Sequence, residues 1–215
     1  MKTDALIFDI DGTLWDSCEA VRASWQQSLH SRYGCFGSPS LEQVRSIMGL
    51  TPDEIAGRLF SRFGANAREV FDTLSEDECA YLAVHGAALY PGVSETLPLL
   101  AARVPLFIVS NCQKGYLEAL FASTGFGAYF TDARSAGMTG LDKAGNLRAL
   151  LREYAPESAV FVGDTRGDED AARAAGCRFV HAAYGFGDAA APDSVIHHFG
   201  ELLSLLDNRE EASHV

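Results

Sequence analysis

An α/β fold, with a parallel sheet covered by helices and one helical insertion, is what this 215-residue sequence predicts. Three observations carry that expectation. Apolar runs of strand length recur along the chain, and in the second half they alternate with helix-like segments. The stretch from about 17 to 88, after the first run, carries helical patterning only. Alternation of strand and helix implies a parallel sheet with helices on its faces.

In order, Ala5-Leu6-Ile7-Phe8 is apolar throughout and reads as a strand buried on both faces. From Ser17 onward, Val21, Trp25 and Leu29 recur every fourth residue and give a helix one apolar face. Gly34 to Pro39 ends it. Ser40 then suits an N-cap with Gln43 in the capping-box position. Thr51-Pro52-Asp53-Glu54 opens another helix: Thr51 caps, Pro52 fits the first helical position, and the two acids favour the positive end of the helix dipole. A fourth helix is expected from about Asn66 to Val84, ending before Gly86.

After Tyr90-Pro91-Gly92-Val93 the alternation begins. Strands are expected at Leu106–Val109, Ala159–Val162 and Cys177–Val180, with a shorter one near Tyr129-Phe130-Thr131. Helices are expected at Ser94–Ala102, Lys114–Ser123, Lys143–Tyr154 and Asp168–Ala175. The division that follows is a catalytic core of 1–16 and 89–215 with an inserted helical cap of 17–88. Leu14–Ser17 and Gly86–Gly92 are the two crossings a hinge requires. The polar tail 207–215 is expected to fray.

Composition bounds the function. At 47% hydrophobic and 21% charged residues the chain is an ordinary soluble globular protein, long enough for a core with a sizeable insertion. Lys+Arg 17 against Asp+Glu 29 gives a formal net charge of -12, which opposes nucleic acid and anionic membranes. Small anions are not excluded, because a local cation reverses the field. The five scattered cysteines include no C-x-x-C pair and read as reduced thiols. With no basic-then-apolar leader and no apolar run of spanning length, a cytoplasmic location is expected.

The chemistry concentrates in Asp9-Ile10-Asp11-Gly12-Thr13-Leu14, directly after the first strand. Two carboxylates one residue apart resist joint ionisation, and a divalent cation offsets that cost. A carboxylate so oriented can attack phosphorus, while Gly12 and Thr13 give a turn whose N–H groups can face an anion. An Asp-x-Asp-Gly calcium loop is disfavoured, since the preceding segment is strand-like and a third acid at loop spacing is missing. Ligands of open parallel sheets sit outside the carboxyl ends of the strands. There the chain offers Ser110-Asn111 after one run and Gly163-Asp164-Thr165-Arg166-Gly167-Asp168 after another, with Lys143 opening a helix between them.

These four segments, in this order, resemble the signature of the haloacid dehalogenase superfamily, most of whose members are Mg²⁺-dependent phosphatases with a Rossmann-like core. The resemblance extends to Asp16-Ser17 and to Asp170–Gly176. It implies that Asp9 is the nucleophile, Asp11 the general acid and base, Ser110 a donor to phosphoryl oxygens and Lys143 their countercharge. The acids assigned to the metal site are Asp9, Asp11, Asp164 and Asp168. Asp9, the Ile10 carbonyl and Asp164 would touch Mg²⁺, and Asp168 would orient Lys143 or a metal-bound water, or cap its helix. Gly12, Thr13, Asn111 and Arg45 are the substrate-binding candidates. Arg45 is chosen because Arg45–Thr51 resembles the family's specificity loop.

The residue after Lys143 is alanine, where many relatives have proline. Asp11 separates the chain from the dehalogenases, whose halide leaving group needs no proton. The absence of lysine between Ser17 and Tyr90 argues against the phosphonatase-like Schiff-base members. The expectation is a phosphomonoesterase acting on a small phosphorylated metabolite, as a monomer or weak homodimer, with an overall look similar to phosphoglycolate phosphatases. The alternatives are a β-phosphoglucomutase-like mutase and a catalytically idle phosphate-binding module.

Overall fold

The computed structural model of the protein describes residues 3–35 and 37–207. Positions 208–215 of the expected frayed tail lie outside the described residues. The chain forms two compact units: one holds the residues up to Asp16, Leu89–Ser110 and those from Gly127 onward, and the other holds Ser17–Ala88 with Asn111–Phe126.

The first unit is built on β1 (Ala5–Phe8), the all-apolar run of the sequence. Strands β2 (Trp15–Asp16) and β3 (Ala88–Leu89) pair with each other in a small separate sheet. The main sheet adds β4 (Leu106–Ser110), β5 (Asp132–Ser135), β6 (Ala159–Gly163), β7 (Arg178–Ala182) and β8 (Ser194–Ile196) in the order β5-β4-β1-β6-β7-β8. Every pairing in it is parallel. Strand β1 is central, with Phe8 opposite Ile108 on one side and Val162 on the other, so the chain order reverses there. That reversal is the position at which such sheets bind ligands.

Side chains alternate across the sheet. Ile7, Phe107, Val109, Phe161 and Phe179 pack in one buried cluster with Leu147 and Leu150. Phe8 packs instead against Phe199 and the edge of Phe130, with ring centroids 5.6 and 6.4 Å away. The strand expected near Tyr129–Thr131 is instead a 3₁₀ turn at Phe126–Tyr129, with β5 beginning at Asp132. Phe130 is apolar because it meets Phe8, while β5 lies at the sheet edge and needs no apolar run. The opposite edge, β8, has no counterpart in the sequence expectation.

The helical unit holds α1 (Cys18–Tyr33), α2 (Leu41–Arg45), α3 (Pro52–Leu59) and α4 (Ala67–His85). Ser40 and Gln43 form the expected capping box, and the Thr51 N–H and hydroxyl both donate to Glu54 Oε2 at 2.9 and 2.8 Å. Trp25 centres this core, edge-on to Phe60 and Phe71 at 5.4 and 6.1 Å. Its indole N–H donates to the buried Glu78 carboxylate at 2.7 Å, and the Gln113 amide donates to the other oxygen at 2.8 Å. The remaining α-helices among the described residues are α5 (Val93–Ala101), α6 (Tyr116–Thr124), α7 (Ala136–Thr139), α8 (Lys143–Tyr154), α9 (Arg166–Ala175) and α10 (Glu201–Asp207). Of these, α6 packs on α4, which is why residues 111–126 group with the helical unit rather than the core.

Candidate active site

Asp9 is the first residue past β1, and its N–H donates to the Val162 carbonyl at 2.9 Å, which extends the sheet by one step. The chain then turns sharply. The Ile10 carbonyl accepts N–H groups from Thr13, Leu14 and Trp15 at 3.1, 2.8 and 3.2 Å. A carbonyl has two lone pairs, so Ile10 is committed to this turn, and the expectation that it faces a metal is corrected. Gly12 has φ +83, and a Cβ there would lie 2.0 Å from Asp164 Oδ2. Only glycine supplies both the left-handed backbone and the space.

Asp164 follows β6 and is fully buried. The Phe186 N–H donates to its Oδ2 at 2.7 Å. Asp168 is also fully buried, at the third position of α9. Thr165, not Asp168, caps that helix. The two form a reciprocal box in which Asp168 Oδ2 accepts the Thr165 N–H and hydroxyl at 2.9 and 2.6 Å, and the Asp164 N–H at 3.2 Å. These bonds aim the other oxygen, Oδ1, at Lys143 Nζ, 2.5 Å away. Lys143 opens α8 behind its N-cap Asp142, whose Oδ1 accepts the Gly145 N–H at 2.6 Å. Its ammonium also stands 3.0 Å from Asp9 Oδ1, a buried ion pair.

Asp9, Asp164 and Asp168 each bring a carboxylate oxygen within 4.8 Å of the others, and all three are buried. With all three carboxylates ionised, one ammonium would leave the cluster two negative charges in excess. Asp164 Oδ1 has no hydrogen-bond partner among the described residues, and Asp9 Oδ1 faces the Lys143 ammonium. A buried acceptor without a donor, in a cluster of three acids around one ammonium, fits a divalent cation held by oxygen. Asp11 stands outside this trio, with its Oδ1 accepting the Trp15 indole N–H at 3.0 Å.

Burial drives the titration behaviour. It pushes the Asp9 carboxyl up to about 7, against the pull of Lys143 and with further push from Asp168 and Asp11. Asp164 is pushed up to about 8, first by burial and then by Asp168 and Asp9, with the Phe186 N–H opposing. For Lys143, burial favours the neutral amine, but Asp168 and Asp9 outweigh it and hold the ammonium charged. The site therefore has a permanent cation beside carboxylates that need one more.

Ser110 ends β4, one strand over from β1 at the same rim, and is buried. The Thr13 hydroxyl is buried with no partner among the described residues. Asn111 and Arg45 belong to the helical unit. Asn111 Nδ2 donates to the Gly49 carbonyl at 3.4 Å, and Arg45 is exposed at the end of α2.

Sequence reasoning missed part of this shell. Ser135, in register with Ser110 across β4 and β5, buries a hydroxyl that is likewise without a partner among the described residues. Gly185 has no room for a Cβ, which would lie 2.3 Å from Asp164 Cβ and 2.4 Å from the Gly12 carbonyl. The Tyr184 hydroxyl donates to the Thr13 carbonyl at 3.0 Å, and His181 Nε2 lies 3.1 Å from the Asp164 carbonyl. Tyr184-Gly185-Phe186-Gly187, after the last apolar run, reads from sequence as a rim loop that shapes the entrance or as an ordinary turn, and neither reading gives its contacts with Asp164.

A parallel α/β core with a cluster of buried acids and one lysine beyond its strand ends defines a Rossmann-like protein with a candidate metal-assisted site. The sequence profile of the haloacid dehalogenase-like hydrolases matches residues 6–182, and the chain belongs to that family. Within it the chain is a phosphatase. It is 30% identical to the phosphoglycolate phosphatase of Pectobacterium atrosepticum, over 94% of this chain and 91% of that one. It is 31% identical to that of Yersinia pseudotuberculosis, over 93% and 91%. A crystal structure from Haemophilus somnus, described as a predicted phosphoglycolate phosphatase, shares the fold with a TM-score of 0.82 at 21% identity, covering 95% of this chain and 98% of that one. Among the described residues no helix is long and apolar enough to cross a membrane.

Proposed function

We propose that the protein is a Mg²⁺-dependent phosphomonoesterase that works through an aspartyl-phosphate on Asp9, with phosphoglycolate the leading substrate. The observation that carries the reading is the buried trio Asp9, Asp164 and Asp168 around one ammonium, with Asp164 Oδ1 lacking a hydrogen-bond partner among the described residues. The substrate assignment rests on the relatives named above. Asp9, Asp164 and Asp168 are the acids in reach of the ion, and Mg²⁺, when bound, supplies charge stabilisation for the phosphoryl oxygens.

In the first step an Asp9 carboxylate oxygen bonds to phosphorus as the ester P–O bond breaks. Asp11 gives its proton to the leaving oxygen, so the alcohol departs neutral. In the second step Asp11, now a carboxylate, takes a proton from water as the water oxygen bonds to phosphorus. The Asp9–phosphorus bond breaks and inorganic phosphate leaves. Lys143, Ser110 and Thr13 hold the phosphoryl oxygens through both steps, and the Asp168–Lys143 pair fixes the ammonium beside the nucleophile. Residues 17–88 act as a hinged cap that excludes water and presents specificity groups, Arg45 among them.

The test is phosphate release from a panel of small esters including 2-phosphoglycolate, with Mg²⁺ or EDTA, for the wild type and for Asp9→Asn. Release that requires Mg²⁺ and is lost in the variant supports the reading. Release that survives both overturns it.

A further inference from the structure

Trp15 is completely buried, yet its indole carries a polar N–H that must be satisfied. It points that group at Asp11 Oδ1, 3.0 Å away and four residues back along the chain. The backbone between them is fixed by the same turn: the Gly12 N–H donates to the Trp15 carbonyl at 3.0 Å, and the Trp15 N–H donates to the Ile10 carbonyl at 3.2 Å. Asp11 and Trp15 also form an isolated parallel bridge. The large ring is thus clamped by backbone bonds on both sides, and a carboxylate on its rim inherits that rigidity.

We propose that Trp15 is a positioning residue for the general acid, and that its indole N–H selects which Asp11 oxygen carries the catalytic proton. The inference rests on the assignment of Asp11 as general acid. An indole N–H only donates, so the oxygen it meets must act as an acceptor. A protonated Asp11 therefore carries its proton on Oδ2, and the indole fixes the carboxyl rotation at which Oδ2 delivers it. Without the N–H the carboxyl loses the contact that fixes Oδ1 as the acceptor, and the proton is held less strictly on one oxygen. Such loss of orientation costs rate in proportion to how much the reaction needs the proton. An alkoxide leaving group needs it fully. A nitrophenolate leaves with little help.

The test compares an alkyl phosphate, 2-phosphoglycolate, with p-nitrophenyl phosphate for the wild type, Trp15→Phe and Asp11→Asn, all loaded with Mg²⁺. Phenylalanine keeps an apolar ring and removes only the donor and part of the bulk. The expected result for Trp15→Phe is a fall of about tenfold in kcat on the alkyl ester, with KM little changed, and a fall of about twofold or less on the aryl ester. Equal losses on both esters, or none, overturn the positioning role. Asp11→Asn separates this inference from the reading beneath it. If that variant loses the alkyl ester selectively and Trp15→Phe does not, only the Trp15 inference fails. If Asp11→Asn shows no selectivity, the acid assignment itself fails.

A measurement on intact Trp15 guards against a packing artefact. The chain has two tryptophans, Trp15 and Trp25, so the indole N–H region of a ¹⁵N spectrum holds two side-chain signals. Asp11→Asn should move the Trp15 signal and leave that of Trp25, which is bonded to Glu78. A Trp15 signal that does not move contradicts the contact.

Discussion

Lys143 Nζ stands 2.5 Å from Asp168 Oδ1, and the two side chains are 6% and 0% exposed. Among the described residues the lysine is the one cation paired with these buried carboxylates, so it serves stability and chemistry together. Lys143→Met leaves Asp168 and Asp9 buried with no countercharge. Breaking such a pair costs about 3–5 kcal/mol. In EDTA the melting temperature should fall by roughly 10 °C, given about 2–4 °C per kcal/mol for a chain of this size. Phosphatase activity should drop by about a hundredfold or more. A melting temperature equal to the wild type's contradicts the pairing.

The raised carboxyls set a pH dependence with a definite sign. Asp9 and Asp164 move from an ordinary 3.8 up to about 7 and about 8 in the folded chain. Between those limits the folded state holds protons that the unfolded state has released. The stability these groups contribute is therefore complete at low pH and is lost as pH rises through the folded values. In EDTA, stability should decline from about pH 5 to about pH 8. Mg²⁺ competes with the same protons, so its stabilising effect should be larger at pH 8 than at pH 5.5. A gain that is equal at both pH values, read by thermal melts, contradicts the assignment.

Gly185→Ala tests the part of the site that lies far from the first motif in sequence. A methyl group there meets Asp164 Cβ and the Gly12 carbonyl at once, and neither is a flexible chain end. Overpacking of this kind costs about 1–3 kcal/mol and displaces Asp164. Activity should fall, and the Mg²⁺ concentration for half-maximal rate should rise. Unchanged values of both would show that the loop yields.

The contrast between Gly12 and Gly185 shows how far the sequence could be read. Asp9 to Thr13 lie within one turn, so their chemistry is visible as a local pattern. Asp168 was legible as a site acid, but its helix position was misread because Thr165, three residues earlier, is the better cap. Gly185 and Phe186 reach Asp164 across more than twenty residues, and Glu78 reaches Trp25 across more than fifty. No local periodicity reports such contacts. Strands β5 and β8 escaped for a related reason: edge strands pair on one side only and carry mixed sequences such as Asp132-Ala133-Arg134-Ser135. The central strands, buried on both faces, announce themselves as apolar runs.

Arg45 separates binding from chemistry. It is exposed on the helical unit, where a surface contact is worth about 0–1 kcal/mol, so Arg45→Ala should lower the melting temperature by no more than about 4 °C. If it meets the substrate carboxylate, KM for 2-phosphoglycolate should rise by about tenfold with kcat retained, and p-nitrophenyl phosphate should be unaffected. Identical KM values on 2-phosphoglycolate remove Arg45 from the specificity set.

The most direct test of the account is to trap the phosphoryl group on the protein. Wild-type enzyme with Mg²⁺ and 2-phosphoglycolate, quenched in acid within one turnover and digested, should yield an N-terminal peptide whose phosphoryl mass maps to Asp9. Asp9→Asn should yield none. Label on another residue, or steady turnover with no covalent phosphoryl group at any quench time, would contradict Asp9 as the nucleophile.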